Sequence, residues 1–459
     1  MTRLLLALIL SGLAAFAELT PPVYYLLWFD TEDYVDPASD DAALRLATTL
    51  EKMGVRATFK VVGEKARMLE KRNRRDVIDA LARHDIGYHT NTHSIPPAPA
   101  AYQRILHPLE AVEEFTRREE PGLRDVQRIF GMLPSCYGQP GDSWGPAANV
   151  ALRRWGVPVY MDDGGQIGLN GQPFWLGGML YIFNLTGYTL RPDINRPETL
   201  AATNAQFDDM AASLRAKGGG VIQTYFHPTE FSATEFWDAV NFLQGRYTAP
   251  GEYKLPQRRT TESAERAYRT IFEFVRHIQA NPNVRVVTAR QMPLLFQDPV
   301  QRPSVADSRR QFQTAIDIQG PYSAADQLLA LLGMEPRYVD GPVARGQTAV
   351  AGASLSRALF DRAKLDAIGY IETHKRLPHS VWAGSERLSL PDFAATLAGD
   401  DGGPAVPLRQ GRTAFERHVA ADTDKNYTWV IHPAGFTAPE LLEQARLQAW
   451  TLKPALLRK

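Results

Sequence analysis

His89 and His93 stand four residues apart, with Thr90, Asn91 and Thr92 between them. A helical turn or a tight loop at that spacing brings both imidazoles to one side. Two neutral imidazoles so placed can share one metal ion. Upstream, residues 28–34 read W-F-D-T-E-D-Y and offer three carboxylates, Asp30, Glu32 and Asp33, just after an apolar run. Downstream, residues 224–228 read T-Y-F-H-P and supply His227. The histidine pair alone is a weak signal, because histidines beside a turn often satisfy only backbone hydrogen bonds. The order of the three pieces says more: acids ending one apolar run, then the pair, then a late histidine ending another.

The elements that must position these residues follow from periodicity. Residues 23–29 (V-Y-Y-L-L-W-F) form a nearly continuous β-branched and aromatic run, as in a strand buried on both faces. Residues 40–53 carry Ala43, Leu46, Ala47 and Leu50 at helical spacing, and Gly54 stands where that helix should stop. A strand over 55–62, a helix over 76–83, and Ile86-Gly87-Tyr88 leading into the pair complete a strand, helix, strand, helix, strand order. That order marks a parallel α/β sheet. It continues with helices over 109–118, 147–155, 199–217 and 262–280, and strands over 135–137, 157–161, 221–226 and 284–288. Roughly seven strand and helix pairs suit an incomplete or distorted (β/α) barrel. Ligand-binding residues of such folds collect at the carboxyl ends of strands, so Asp30, His89, Asp163 and His227 should share one rim.

On these residues the chain resembles the polysaccharide deacetylase family, the NodB-like carbohydrate esterases. His89-Thr90-Asn91-Thr92-His93 matches that family's His-[Ser/Thr]-x-x-His motif position by position. The resemblance implies a distorted (β/α) barrel of about seven strands. It further implies that Asp30 is the general base, that Glu32 or Asp33 joins His89 and His93 as metal ligand, and that His227 is the general acid. A carboxylate with two imidazoles suits zinc, with cobalt, nickel or iron as alternatives. Such a site activates water for attack on an acetyl carbonyl, with Asp30 taking the proton and a backbone N–H near Gly141 supporting the oxyanion. His227 then protonates the departing sugar amine or alcohol. Asp163 and Trp144 are candidate substrate contacts, with Trp175 and Trp237 as further aromatic candidates, although most tryptophans are packed in cores.

The chain departs from the family in three places, one being that Asp162-Asp163 match its fourth motif only loosely. The third motif, usually Arg-x-Pro-aromatic, reads Tyr137-Gly138-Gln139-Pro140-Gly141 and lacks the arginine that orients the base. The first motif is D-T-E-D rather than two adjacent aspartates, which leaves the acidic ligand open by one residue. The expected activity is metal-dependent removal of acetyl groups from an N- or O-acetylated polysaccharide or cell-wall glycan. Two rivals stand beside it. One is an amidohydrolase acting on a non-sugar C–N amide, with the glycine-rich loop 164–178 shaping the choice. The other is a glycan-binding protein that has lost catalysis.

Composition bounds the rest. The chain has 459 residues, 44% of them hydrophobic, ample for packed cores in two or three domains. Lysine plus arginine equals aspartate plus glutamate at 51 each, so there is no nucleic-acid footprint and no strong pull toward an anionic membrane. Residues 1–17 read as a signal peptide, with Arg3, an apolar run and Ala15-Phe16-Ala17 before a cut near Glu18. That predicts a secreted or periplasmic protein with no membrane span after cleavage. Cys136 is the sole cysteine, which excludes an internal disulfide and a cysteine-rich zinc site. The barrel is expected over 18–297, a polar, proline-bearing linker over 298–310, and a smaller, mainly helical α+β domain over 311–459. Within that last part, residues 377–397 faintly resemble a repeat of pseudomurein-binding modules, which implies cell-wall or glycan attachment; a plain strand, turn and helix is the simpler reading.

Overall fold

The computed structural model describes residues 22–298, 302–421 and 425–458. The signal peptide expected over 1–17 lies outside them. Nine strands of residues 23–287 build one curled sheet: β1 (Val23–Thr31), β2 (Thr58–Val61), β3 (Asp85–Tyr88), β4 (Cys136–Tyr137), β5 (Val159–Met161), β6 (Phe174–Leu176), β7 (Met179–Ile182), β8 (Gly220–Phe226) and β9 (Val284–Val287). The strands β1-β2-β3-β4-β5-β7 pair in parallel in that order, and β8 and β9 are parallel to β1. Between β7 and β8 the ring is completed by irregular chain, where Thr189 bridges Gln223 and the Leu190 N–H donates to the Gln223 carbonyl at 2.9 Å. The result is the distorted (β/α) barrel that the alternating periodicity predicts.

β1 is buried along its whole length, with paired strands on both edges and its side chains packed into the main hydrophobic core. The helix Pro37–Lys52 packs Ala43, Leu46, Ala47 and Leu50 inward, starts from Asp36, whose side chain accepts from the Ala38 N–H, and is followed by Gly54 at φ +72°. Two helical features differ from expectation. The helix Gly63–Lys71 is not legible in the sequence, since Ala66, Met68 and Leu69 are the only large or methyl-bearing apolar side chains in a charged stretch. The helix expected over 109–118 runs instead over Pro108–Phe130, through Pro121. Its Gly122 lies against the histidine loop, where a Cβ would meet the Asn91 Cα at 2.7 Å. Glu119 of the same helix accepts from the Asn91 N–H at 2.6 Å and from the Tyr88 hydroxyl. This helix therefore buttresses the loop that carries His89 and His93.

Past the barrel, residues expected as linker begin the helix Val305–Thr314. Ser304 caps it by accepting from the Asp307 N–H, and buried Phe312 anchors it. Further helices are Ala324–Leu331, Arg357–His374, Leu390–Gly399 and Pro439–Gln448. Residues 377–397 fold as a hairpin, Ser380–Ala383 with Glu386–Ser389, leading into a helix. These elements share one hydrophobic cluster with the barrel, in which Phe393, Leu442 and Trp450 join Leu180 and Tyr181. The strand Lys453–Pro454 extends the barrel sheet, antiparallel to β6. Among the described residues no helix is long and apolar enough to cross a membrane.

Candidate active site

The parallel strand order puts the carboxyl ends of β1, β3, β4, β5 and β8 on one rim. They deliver Asp30 and Glu32, His89 and His93, Gly141 and Asp142, Asp162 and Asp163, and His227 to a cleft of about 300 Å³. Asp30 and Glu32 are two residues apart at the end of β1, so alternation turns both toward the same face. Asp33 turns away. Its Oδ1 accepts from the Val35 and Asp36 N–H groups at 2.9 Å, and its Oδ2 accepts from Thr229 Oγ1 at 3.0 Å. Asp33 is a turn carboxylate held by these groups.

Glu32 Oε2 lies 2.8 Å from His93 Nε2 and 3.4 Å from His89 Nε2, and the three ligand atoms are all within 4.8 Å of one another. His89 Nδ1 faces the Gly138 carbonyl at 3.1 Å, and His93 Nδ1 faces Ser94 Oγ at 2.6 Å. With the proton on Nδ1 in each ring, both Nε2 lone pairs point at Glu32. His93 Nε2 is buried and makes no hydrogen bond in spite of its nearness to Glu32 Oε2. Lone pairs converging on one buried point fit a shared cation, so the donor set suits a divalent metal. The other oxygen of Glu32 accepts from Trp237 Nε1 at 3.0 Å, which fixes the carboxylate's orientation. Burial works against the charge of Glu32, but the fields of His93 and His227 outweigh it and hold the carboxyl well below its ordinary range. Burial lowers His89, with Asp30 and Glu32 opposing. The histidine loop is a tight turn, not a helix: Thr90 and His93 take φ of +66° and +55°, and Thr90 Oγ1 accepts from the His93 N–H at 3.2 Å. Holding non-glycine residues there costs on the order of 1–3 kcal/mol each, a strain characteristic of functional sites.

Asp30 lies between the histidines. Its Oδ1 is 3.6 Å from His89 Nδ1 and its Oδ2 is 3.7 Å from His227 Nε2. A buried lysine that no motif marks stands beside Asp30. Lys60 is the direct β2 partner of Asp30, and its buried Nζ lies 2.9 Å from Asp30 Oδ1, 2.7 Å from Asp162 Oδ2 and 3.0 Å from the Met161 carbonyl. It also sits 3.9 Å above the Trp28 ring. Gly138 makes this possible, because a Cβ there would fall 2.3 Å from Lys60 Nζ and 2.2 Å from Asp162 Oδ2. Burial opposes the ammonium, but Asp162 and Asp30 outweigh it and raise its pKa. Burial raises the pKa of Asp162, opposed by Lys60 and reinforced by Asp30.

His227 follows β8 and is held by Glu230, whose Oε1 lies 2.8 Å from His227 Nδ1 and accepts from the His227 backbone N–H at 3.0 Å. Arg191 pairs with that glutamate at 2.7 Å. Burial by itself disfavours the imidazolium, but Glu32, Glu230 and Asp30 outweigh it and push the pKa up to about 9.

The remaining candidates divide. Gly141 and Asp163 line the cleft, tied together by Gln139 Nε2, which donates to both backbone carbonyls at 3.1 and 3.0 Å. Burial raises the pKa of Asp163. Trp144 is corrected: it is wholly buried in the core and is not part of the cleft wall, because the turn after β4 folds it inward. Trp175 is likewise packed, and Trp237 serves Glu32. The cleft also takes Asn426, Thr428 and Trp429 from the C-terminal part. No motif in the sequence marks them, since contact with the rim depends on how the two parts of the chain pack.

Solved structures offer a comparison for this arrangement. A protein from Mycobacterium smegmatis described as a polysaccharide deacetylase overlays on 60% of this chain and 89% of its own, with 16% identity and a TM-score of 0.38. Peptidoglycan deacetylase PdaC from Bacillus subtilis matches 59% of this chain and 90% of its own, with 14% identity and a TM-score of 0.29. Puue allantoinase matches 58% and 87%, with 11% identity and a TM-score of 0.36. No protein-family model matches the sequence, and no curated protein matches it. At such identities and scores no activity carries over, and function rests on the side chains described above.

Proposed function

We propose that this protein is a metal-dependent hydrolase that removes acetyl groups from an N- or O-acetylated glycan. The observation that carries the reading is the convergence of Glu32 Oε2, His89 Nε2 and His93 Nε2 on one buried point, with Asp30 and His227 beside it. Glu32, His89 and His93 would hold the metal, zinc by the chemistry of the donor set. Bound there, a divalent cation lowers the pKa of a water molecule and polarises a carbonyl.

The chain's own groups divide the proton transfers. Asp30, fixed by Lys60 and close to both His89 and His227, accepts the proton as water attacks. His227, whose imidazolium Glu230 favours from beside Nδ1, gives a proton to the departing amine or alcohol. Glu230 holds Nδ1 of that ring, which leaves Nε2 directed at the cleft. Gly141 lines the same cleft, and its backbone N–H is the candidate oxyanion donor. The buried setting strengthens each of these interactions relative to water.

The test is acetate release from acetylated glycans by the protein from Glu18 onward, with and without a chelator. Chelator-sensitive release that returns on adding zinc supports the reading. A zinc-loaded protein that releases no acetate from any acetylated sugar overturns it. Secretion or periplasmic placement, and glycan attachment through residues 377–397, belong to the same proposal and are tested by cell fractionation and by pull-down on isolated walls.

A further inference from the structure

The segment around Trp429 lies across the mouth of the cleft. The backbone N–H groups of Thr428 and Trp429 both donate to Asp142 Oδ2, the latter at 2.9 Å, and Gln166 Nε2 donates to the Asn426 carbonyl at 2.6 Å. On the other side, Trp429 Nε1 donates to Asp238 Oδ2 at 2.7 Å, and the Trp429 ring meets Phe236 edge to face at 5.4 Å. Asp142 follows β4, whereas Phe236 and Asp238 follow β8, and the sheet order β8-β1-β2-β3-β4 sets these strand ends well apart around the rim. Trp429 is thus pinned from both sides, and it bears directly on Gly141, where a Cβ would fall 2.4 Å from its Cδ1. Hydrogen bonds to two carboxylates on opposite sides of the rim hold this strap as a fixed wall.

A fixed wall over a rim site has a consequence for substrate shape. The cleft that remains, about 300 Å³, stands at the bottom of the ~300–1,000 Å³ range of small-ligand sites. A polymer acted on at internal residues needs chain to leave the site in two directions. A terminal residue or a free sugar needs one. We propose that the Trp429 strap makes this cleft selective for an acetylated residue at the end of a glycan, or for short acetylated sugars, over internal residues of a polymer; the inference rests on the deacetylase reading above.

Two measurements test it. First, the zinc-loaded protein is given the fully N-acetylated tetramer of β-1,4-linked glucosamine, and the first product is sequenced by mass spectrometry. Loss of acetyl from a terminal residue is expected; internal residues deacetylated at the same rate would overturn the proposal. Second, kcat/KM per acetyl group is compared for this tetramer and for soluble chitin polymer. In the native protein the tetramer is favoured by about tenfold or more, and Trp429→Ala narrows that ratio by about tenfold, as removal of a steric discriminator does. An unchanged ratio in a folded, zinc-loaded Trp429→Ala protein overturns the proposal, and if that variant does not fold the tetramer product decides alone. Absence of acetate release from every substrate would remove the deacetylase reading together with this one, an outcome distinct from release without positional preference.

Discussion

Lys60 Nζ stands 2.9 Å from Asp30 Oδ1, and the two residues are direct partners across β1 and β2. The same ammonium reaches Asp162 at 2.7 Å, so one buried cation ties two acids from different strand ends. Removing one member of a buried charge pair strands the others, at about 3–5 kcal/mol. Lys60→Met is therefore expected to lower the melting temperature and to cut kcat steeply while leaving bound metal in place. Lys60→Met combined with Asp162→Asn should recover part of the stability, because one stranded carboxylate is gone. A double-mutant cycle by calorimetry checks this, and strictly additive losses would show that the two side chains do not act as a pair.

Asp30→Asn keeps the shape of the site and removes the proton acceptor. Turnover should fall by about 10²- to 10⁴-fold, the usual weight of general acid–base catalysis, with metal content unchanged by elemental analysis. Retained activity in that variant would move the base elsewhere.

The metal assignment separates two adjacent acids. Glu32→Gln and His93→Ala should each lose the metal, whereas Asp33→Asn should keep it, since Asp33 is occupied with the Val35 and Asp36 N–H groups and Thr229. Trp237→Phe frees the Glu32 oxygen it orients and should weaken metal affinity by about 10- to 100-fold. Competition with a chromogenic zinc chelator measures all four.

The pH profile follows from His227. A general acid works in its protonated form, and Glu230 beside Nδ1 favours the imidazolium of His227, so activity should hold on the acid side of the His227 ionisation and fall as pH rises through it. Glu230→Gln removes a charge and hydrogen bond that favour the imidazolium, so the alkaline limb should move to lower pH. An unmoved limb would assign that ionisation to another group.

The C-terminal part shares the barrel's hydrophobic cluster and supplies a strand beside β6. The chain cut after residue 310 should therefore be poorly soluble, with the β6 edge and its neighbours Leu180 and Tyr181 uncovered. A soluble fragment with a cooperative melt near that of the full chain would show instead that the barrel stands alone.

The sequence by itself determined the barrel and its rim. The apolar run of β1, the helical spacing of Ala43, Leu46, Ala47 and Leu50, and the strand, helix alternation are local patterns, and local patterns fix parallel order and hence which strand ends meet. That is why Asp30, Glu32, His89, His93, Asp163 and His227 were legible as one constellation. Tertiary structure decided what depends on partners distant in sequence. Glu32 and Asp33 are equivalent in a sequence and are told apart only by which way each side chain turns at the end of β1. Lys60 carries no motif, and its role appears through cross-strand register and the space left by Gly138, 78 residues further on. Trp144 looked as available as any tryptophan until packing buried it. Trp429 reached the site because the far end of the chain folds back over the rim, a contact that no spacing within either part encodes.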